Sequence, residues 1–262
     1  MALHGELQHH IQLKRGDVGR YVLLPGDPGR CEKIASYFDD PQLIAYNREY
    51  KTYTGTLLGE KVSVTSTGIG CPSTAIAVEE LIAIGADTFV RVGTSGGMQP
   101  GTHAGDIAVV SGAIRDEGTT THYIPLEFPA VAHIDVVEAM IQGARTLEYP
   151  YRVGVSQSKD SFYGEIDPAR MPAANRLQAR WKAWVDGGAI CSEMEAAAIF
   201  VIASIQRVRA GGVMLMASSH DNAPTTEAEM AEFERMFDIE RVIRTAVEGL
   251  KVLIVKDRVM GE

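Results

Sequence analysis

The chain is poor in cysteine, in aromatic residues and in positive charge. Cys31, Cys71 and Cys191 are the only cysteines among 262 residues, an odd number with no close spacing. That excludes a disulfide framework and fits thiols kept reduced in the cytoplasm, the expected location. A chain of this length buries a core large enough to need neither disulfides nor a structural metal. No apolar run has the length of a membrane span, and the opening "MALHGELQHH" lacks the apolar centre of a signal peptide. Lysine and arginine total 25 against 34 aspartates and glutamates, a formal net charge of -9. This balance argues against nucleic acid and anionic membranes as partners, yet it permits a locally positive pocket for a small anion. Metal-ligand spacings are missing, and "GIGCPS" does not match a dinucleotide fingerprint. His9 and His10 are adjacent with no third ligand nearby. In "SSHDN" the serine, histidine and aspartate are too close along the chain to form a nucleophile–base–orienter set.

What is present is an alternation of β-rich apolar segments with helical patterns, with no repeat and no linker, so one α/β domain over 1–262 is expected. Strands are expected at 21–24, 61–66, 88–92, 106–110, 152–156 and 212–217. "FVRV" and "VMLMA" barely alternate, as strands buried on both faces do. Helices are expected at 30–37, 72–84, 134–146, 173–184, 195–205 and 226–251, the last with one packed face. Pro72 suits the first turn of its helix and Gly85 the position just beyond its end. The irregular stretches 115–129 and 160–172 are long for a compact domain, and long loops are often functional.

Five stretches carry residues capable of chemistry. In "YVLLPGDPGRCEKIA", residues 21–35, a strand meets a helix. Asp27 can cap that helix, Pro28 can open it, and Gly26 permits close backbone approach. The unpaired N–H groups and Arg30 then form an anion cradle, although an ordinary turn with an exposed arginine reads the same way. "FVRVGTSGG" places Arg91 inside an apolar strand, where a charge is costly unless paired. Gly93, Thr94, Ser95, Gly96 and Gly97 follow at the strand's C-terminal end, where α/β sheets bind ligands. Arg91 therefore meets either a ligand or a core carboxylate. Arg48 in "YNREY" reads by itself as a surface or interface residue. "CSEMEAAAIF" opens a helix with Glu193, Met194 and Glu195. Acidic residues suit that end of the dipole, and a carboxylate there can also accept from a ribose diol. In "DSFYGEIDPAR", Phe162 and Tyr163 can stack, and Glu165 and Arg170 can read a base edge.

The ordered set "PGDPGR", "NREY", "STGIGCPS", "RVGTSGG", "EFPAVA", "DSFYG" and "EMEAAA" resembles the nucleoside phosphorylase superfamily, specifically uridine phosphorylases, from about residue 10 to the final helix. The resemblance implies a three-layer α/β/α fold with a central twisted mixed β-sheet, and phosphorolysis of a nucleoside, first of all uridine. It implies a phosphate site of Gly26, Arg30, Arg91 and Thr94, completed by Arg48 from a neighbouring subunit. Thr94, Met194, Glu195 and a cross-dimer His10 would hold ribose. Gly96, Phe162, Glu165 and Arg170 would hold the base, with Arg30, Arg91, Glu195 and Arg170 acting in catalysis. Arg170 would stabilise the leaving base. No cofactor is implied beyond inorganic phosphate as co-substrate, with a monovalent cation such as K+ at Glu49, Ile69 and Ser73 in some members. The related enzymes are commonly hexamers, built as trimers of dimers with shared active sites.

One departure stands out. Pyrimidine-specific members carry Gln where this chain has Glu165, and an ionised Glu only accepts hydrogen bonds, whereas a uracil edge offers an N–H beside a carbonyl. A purine or modified-pyrimidine nucleoside thus stays open as substrate. Ser219 stands near the place of the Asp that serves purine members, with Asp221 two residues on. A non-catalytic nucleoside binder is the rival from another class, and the full arginine set argues against it and against hydrolytic relatives.

Overall fold

The computed structural model describes residues 7–261. Its strands are β1 (Tyr21–Leu24), β2 (Asp39–Asn47), β3 (Tyr50–Leu57), β4 (Glu60–Thr65), β5 (Thr88–Gly97), β6 (Ile107–Asp116), β7 (Ala130–Val131), β8 (Tyr151–Lys159), β9 (Cys191–Glu193) and β10 (Arg209–Met216). The helices are α1 (Pro28–Ala35), α2 (Cys71–Ala83), α3 (Ile134–Thr146), α4 (Phe162–Ile166), α5 (Ala174–Asp186), α6 (Ala196–Gln206), α7 (Glu227–Met236) and α8 (Ile239–Met260).

The sheet is mixed, in the order β10-β6-β8-β9-β5-β1-β4-β3-β2, with β7 on β6. Strand side chains alternate between two cores. Val22, Leu24, Phe89, Ala108, Val110, Met214 and Met216 pack on the side of α2 and α6. Tyr21, Leu23, Val90, Val92, Ile107, Val109, Val213 and Leu215 face α1, α3 and α8. A strand covered on both faces has no polar side to show, which is why these segments read as nearly unbroken apolar runs.

The sheet is not simply open. β5 runs parallel to β1 over Thr88–Arg91 and to β10 over Thr88–Ser95, and then Gly96 and Gly97 pair antiparallel with Ser192 and Cys191 of β9. Because β10 also pairs with β6, and β6 with β8 and β8 with β9, five strands close into a ring. The expected strand at 88–92 is therefore longer than its apolar run: its polar end belongs to the ring.

Two differences from the expected elements have local causes. The helix expected over 226–251 is two helices. Thr226 and Glu229 form a capping box for α7, and Asp238 caps α8 by accepting from Glu240 N, so the chain turns at Phe237. The hairpin β2–β3 was not expected, because Pro41, a left-handed Asp40 and two register shifts break its alternation. No helix among the described residues is long and apolar enough to cross a membrane.

Candidate functional site

A cleft of about 1110 Å³ lies where β1, β5 and β9 end, roofed by residues of α4, α5 and the α7–α8 turn. Leu24, the last residue of β1, is in register with Arg91 of β5, so the turn after β1 and the buried arginine are neighbours by sheet geometry. Asp27 caps α1 by accepting from Gly29 N at 2.8 Å, and Pro28 opens the helix, as expected. Gly26 is a site of close approach, since a Cβ there would lie 3.2 Å from the Gly68 carbonyl oxygen. Arg30, half-buried, donates from Nη1 to the Val92 carbonyl at 3.0 Å, which ties it over β5.

Arg91 satisfies both of its sequence readings. Its Nε donates to Glu193 Oε2 at 2.8 Å and its Nη2 pairs with Glu195, so it has its core carboxylates. Nη1 is nevertheless buried without a hydrogen-bond partner among the described residues. Burial works against the Arg91 charge, but Glu195 and Glu193 outweigh it and hold the guanidinium above the ordinary arginine range. Arg30 goes the other way, lowered by burial and further by Arg91. Glu195 is raised by burial, an effect that Arg91 opposes and Glu193 reinforces, and its Oε1 accepts from Gly70 N at 2.7 Å. Two crowded guanidiniums, one with an unmet buried donor, and a carboxyl biased toward its neutral form make a pocket that favours an added anion.

Glu193 sets this arrangement. Its side chain is fully buried; Oε1 accepts from Ser158 Oγ, and Oε2 accepts from Arg91 Nε, Glu195 N and Ala196 N. It therefore caps α6 and aims Arg91 with the same oxygen.

Thr94, Gly96, Met194, Phe162 and Glu165 line the rest of the cleft. Lys159, Ser192, Trp181 and Phe237 line it too and were not singled out in the sequence. Lys159 Nζ lies 2.5 Å from Glu165 Oε1 and 5.9 Å from the centre of the Phe162 ring. The usable signal for Lys159 was its place at the C-terminal end of a strand in an α/β sheet. Phe237 reaches the cleft only because the chain turns between α7 and α8.

The remaining sequence candidates lie at the rim of the cleft or outside it. Arg170 is not brought to the cleft: it ends a 3-10 turn, pairs with Asp167 at 3.7 Å, sits over the Tyr163 ring at 5.7 Å and is largely exposed. The Asp167-Pro168 corner carries it outward, and the cation beside Glu165 is Lys159. His10 is also outside, with Nδ1 at 2.6 Å from Glu80 Oε1 and its carbonyl accepting from Asn47 Nδ2 at 2.6 Å. Arg48 is the next residue, exposed and left-handed at φ 55° in the β2–β3 turn, so His10 and Arg48 share one outer face. Glu49 and Ile69 line the cleft rim. Ser73 Oγ lies 2.7 Å from Glu49 Oε1 and 2.5 Å from the Thr67 carbonyl, and that hydroxyl holds the Glu49 carboxyl below its ordinary range. Asp221 lies at 2.5 Å from Ser219 Oγ and lines a different depression, beside α7.

The sequence profile of the phosphorylase superfamily matches residues 20–248. A uridine phosphorylase of Treponema pallidum (strain Nichols) is 50% identical over 252 residues, 96% of this chain and 96% of its own. A guanosine phosphorylase of Halorubrum lacusprofundi is 35% identical over 250 residues, 94% of this chain and 99% of its own. The crystal structure of a uridine phosphorylase from Vibrio fischeri ES114, complexed with 6-hydroxy-1-naphthoic acid, superposes with a TM-score of 0.83 at 30% identity, covering 94% of this chain and 96% of that one.

Proposed function

We propose that this chain, which belongs to the phosphorylase superfamily and within it to the uridine phosphorylase family, splits uridine with inorganic phosphate to give uracil and ribose 1-phosphate, a step of nucleoside salvage. The observation that carries the phosphate half is Arg91 Nη1, a buried donor without a partner among the described residues, beside a second guanidinium. Arg30, Arg91, Thr94 and the backbone at Gly26 would seat the phosphate. One of its oxygens bonds to the ribose C1′ as the C1′–N1 bond breaks and the bonding pair leaves with the base. Holding the two reactants in line and neutralising phosphate supplies most of the rate. Glu195 and Met194 would hold the sugar. The leaving uracil carries negative charge, and Lys159 is the cation at that end of the cleft.

The purine alternative shares all of this chemistry, but Asp221 lines the depression beside α7 and not this cleft, so it is poorly placed to protonate a purine. Uracil release from uridine, followed with and without inorganic phosphate, tests the reading. Uracil and ribose 1-phosphate in equal amounts, only when phosphate is present, is the expected result; equal release without phosphate would replace it with a hydrolase.

Gly96 offers a second check. A Cβ there meets nothing within 4 Å, so Gly96→Ala should leave thermal stability unchanged. The added methyl would take up ligand space and raise the uridine KM roughly ten-fold with the phosphate KM unaffected. Equal changes in both KM values would move the base elsewhere.

The assembly belongs to the same proposal. β2 is an edge strand with Leu43, Ile44 and Tyr46 exposed, a face that a second copy would cover. Arg48 and His10 on the neighbouring face would then enter another copy's cleft, in a trimer of dimers. A K+ ion at that contact would draw on oxygens of Glu49, Ile69 and Ser73, all hard donors. A cytoplasmic location accompanies this reading.

A further inference from the structure

We propose that Lys159 and Glu165 act together as one split reader of the base edge, the ammonium donating to a ring carbonyl and the carboxylate accepting the adjacent ring N–H. This rests on the phosphorolysis reading and names how its base is chosen. Both residues line the cleft and both side chains are largely buried, 11% and 15% exposed.

Proton accounting fixes which groups are left for a ligand. Asp116 can only accept, from Arg180 and from Gln157 Nε2 at 2.7 Å. The Gln157 amide is thereby oriented, and its Oε1 faces the Ser192 hydroxyl as an acceptor at 2.9 Å. That hydroxyl also lies 2.8 Å from Glu165 Oε1, so its single proton serves one of these two acceptors, and on either choice its oxygen accepts from Lys159 Nζ at 2.5 Å. Lys159 gives a second proton to Glu165 Oε1. Its third N–H and Glu165 Oε2 have no hydrogen-bond partner among the described residues. One open donor and one open acceptor thus stand side by side, and the Phe162 ring lies next to the ammonium where a base could stack.

A lone carboxylate would bind the N3–H of uracil and repel the neighbouring carbonyl oxygen. The added ammonium reverses that repulsion, so the pair presents the donor–acceptor pattern that a single amide would present. Cytosine offers a bare N3 lone pair at the same place, which the carboxylate rejects. Thymine, hypoxanthine and guanine share the N–H/C=O pattern, so the reader selects a lactam edge, not a ring size.

The test is kcat/KM for uridine and cytidine at saturating phosphate, in the wild type, Lys159→Met and the double variant Lys159→Met/Glu165→Gln, with thermal unfolding as a control of folding. Wild type should prefer uridine by at least roughly 100-fold, because rejection by an unpaired buried polar group is strong. Lys159→Met should lose roughly 100-fold on uridine, and the double variant should regain at least roughly ten-fold, since Gln alone carries donor and acceptor. A merely structural ion pair would show recovery in melting temperature without recovery in kcat/KM for uridine, and that result overturns the proposal. So does a Lys159→Met enzyme within about two-fold of wild type. Should Lys159→Met not fold, Glu165→Gln alone decides: it should cut the preference for uridine at least roughly ten-fold, and an unchanged preference sinks the idea. Phosphate-dependent uracil release by the wild type with unaltered preference in every variant overturns the reader alone; no release by the wild type removes both.

Discussion

Arg91→Ala is expected to abolish measurable phosphorolysis and to cost about 3–5 kcal/mol of stability, the usual cost of removing one partner from a buried ion pair. Glu193 would keep three donors, from Ser158, Glu195 N and Ala196 N, so α6 should stay capped. Glu195 would keep its hydrogen bond from Gly70 N and the weaker attraction of Arg30. The loss should therefore depend on pH with a definite sign. The Glu195 carboxyl is already raised above the ordinary value of 4.5 by burial, with Arg91 opposing. A raised carboxyl means that the folded state binds more protons than the unfolded state, so stability is fully present below the unfolded pKa. It falls as pH rises through the window up to the folded pKa. Without Arg91 the folded value climbs further and the window widens upward. Denaturant midpoints at about pH 5 and about pH 8 should then differ more in the variant than in the wild type. A parallel loss at both values would show that Glu195 does not respond to Arg91, and a retained phosphate KM would remove Arg91 from the site.

Asp257→Ala should be as costly to stability, about 3–5 kcal/mol, and silent in catalysis. Asp257, in the last turns of α8, accepts from Arg209 Nη1 at 2.8 Å, from Arg209 Nη2 and from the Tyr21 hydroxyl at 2.6 Å. Arg209 also donates to Thr88 Oγ1 at 3.0 Å. This cluster clamps the starts of β1, β5 and β10 to α8, at the end of the sheet opposite the cleft. The Arg209 hydrogen bond is the largest influence holding the Asp257 carboxyl below its ordinary range, with burial working against it and Tyr21 adding to it. Its contribution is present above the unfolded carboxyl value and is lost as pH falls through the depressed folded value. At the other extreme, burial and then the Asp257 hydrogen bond push Tyr21 up to about 12, so the same cluster loses stability as pH rises from the ordinary tyrosine value of 10.0 toward that figure. Urea unfolding should show the loss at neutral pH, while kcat/KM stays within about two-fold of wild type. A fall in kcat/KM at a temperature where the variant is fully folded would mean that the two ends of the sheet are coupled.

What was legible in the sequence followed from covalent and local rules. Asp27 and Pro28 are local signals, and they cap and open α1 where the turn chemistry says they should. Arg91 was conspicuous because a charge in an apolar strand demands partners. The partners themselves, Glu193 and Glu195, stood in another motif a hundred residues away and could be joined to it only by resemblance or by the fold. β9 was not legible because three residues are too few to show a period. Phe237 was hidden inside an apparently continuous amphipathic pattern, although the cap at Asp238 was there to be read. Lys159 was missed because a lysine at a strand end looks solvated until burial and Glu165 are known. Arg170 illustrates the reverse: its residue type and the family resemblance suggested a base contact, and a proline corner turned the side chain outward.

β9 also acts as a gauge block between the two halves of the reaction. Ser192 touches Lys159 at the base end and the next residue, Glu193, aims Arg91 at the phosphate end. In a strand these neighbours point to opposite faces, and a slip by one residue would exchange them. Such a slip is opposed from both sides, by pairing with Ser156, Gln157 and Ser158 of β8 and with Gly96 and Gly97 of β5. The span from attacking oxygen to departing base is thus set by backbone, not by mobile side chains. A base selector can be exchanged on the β8–α4 side while that span keeps its length.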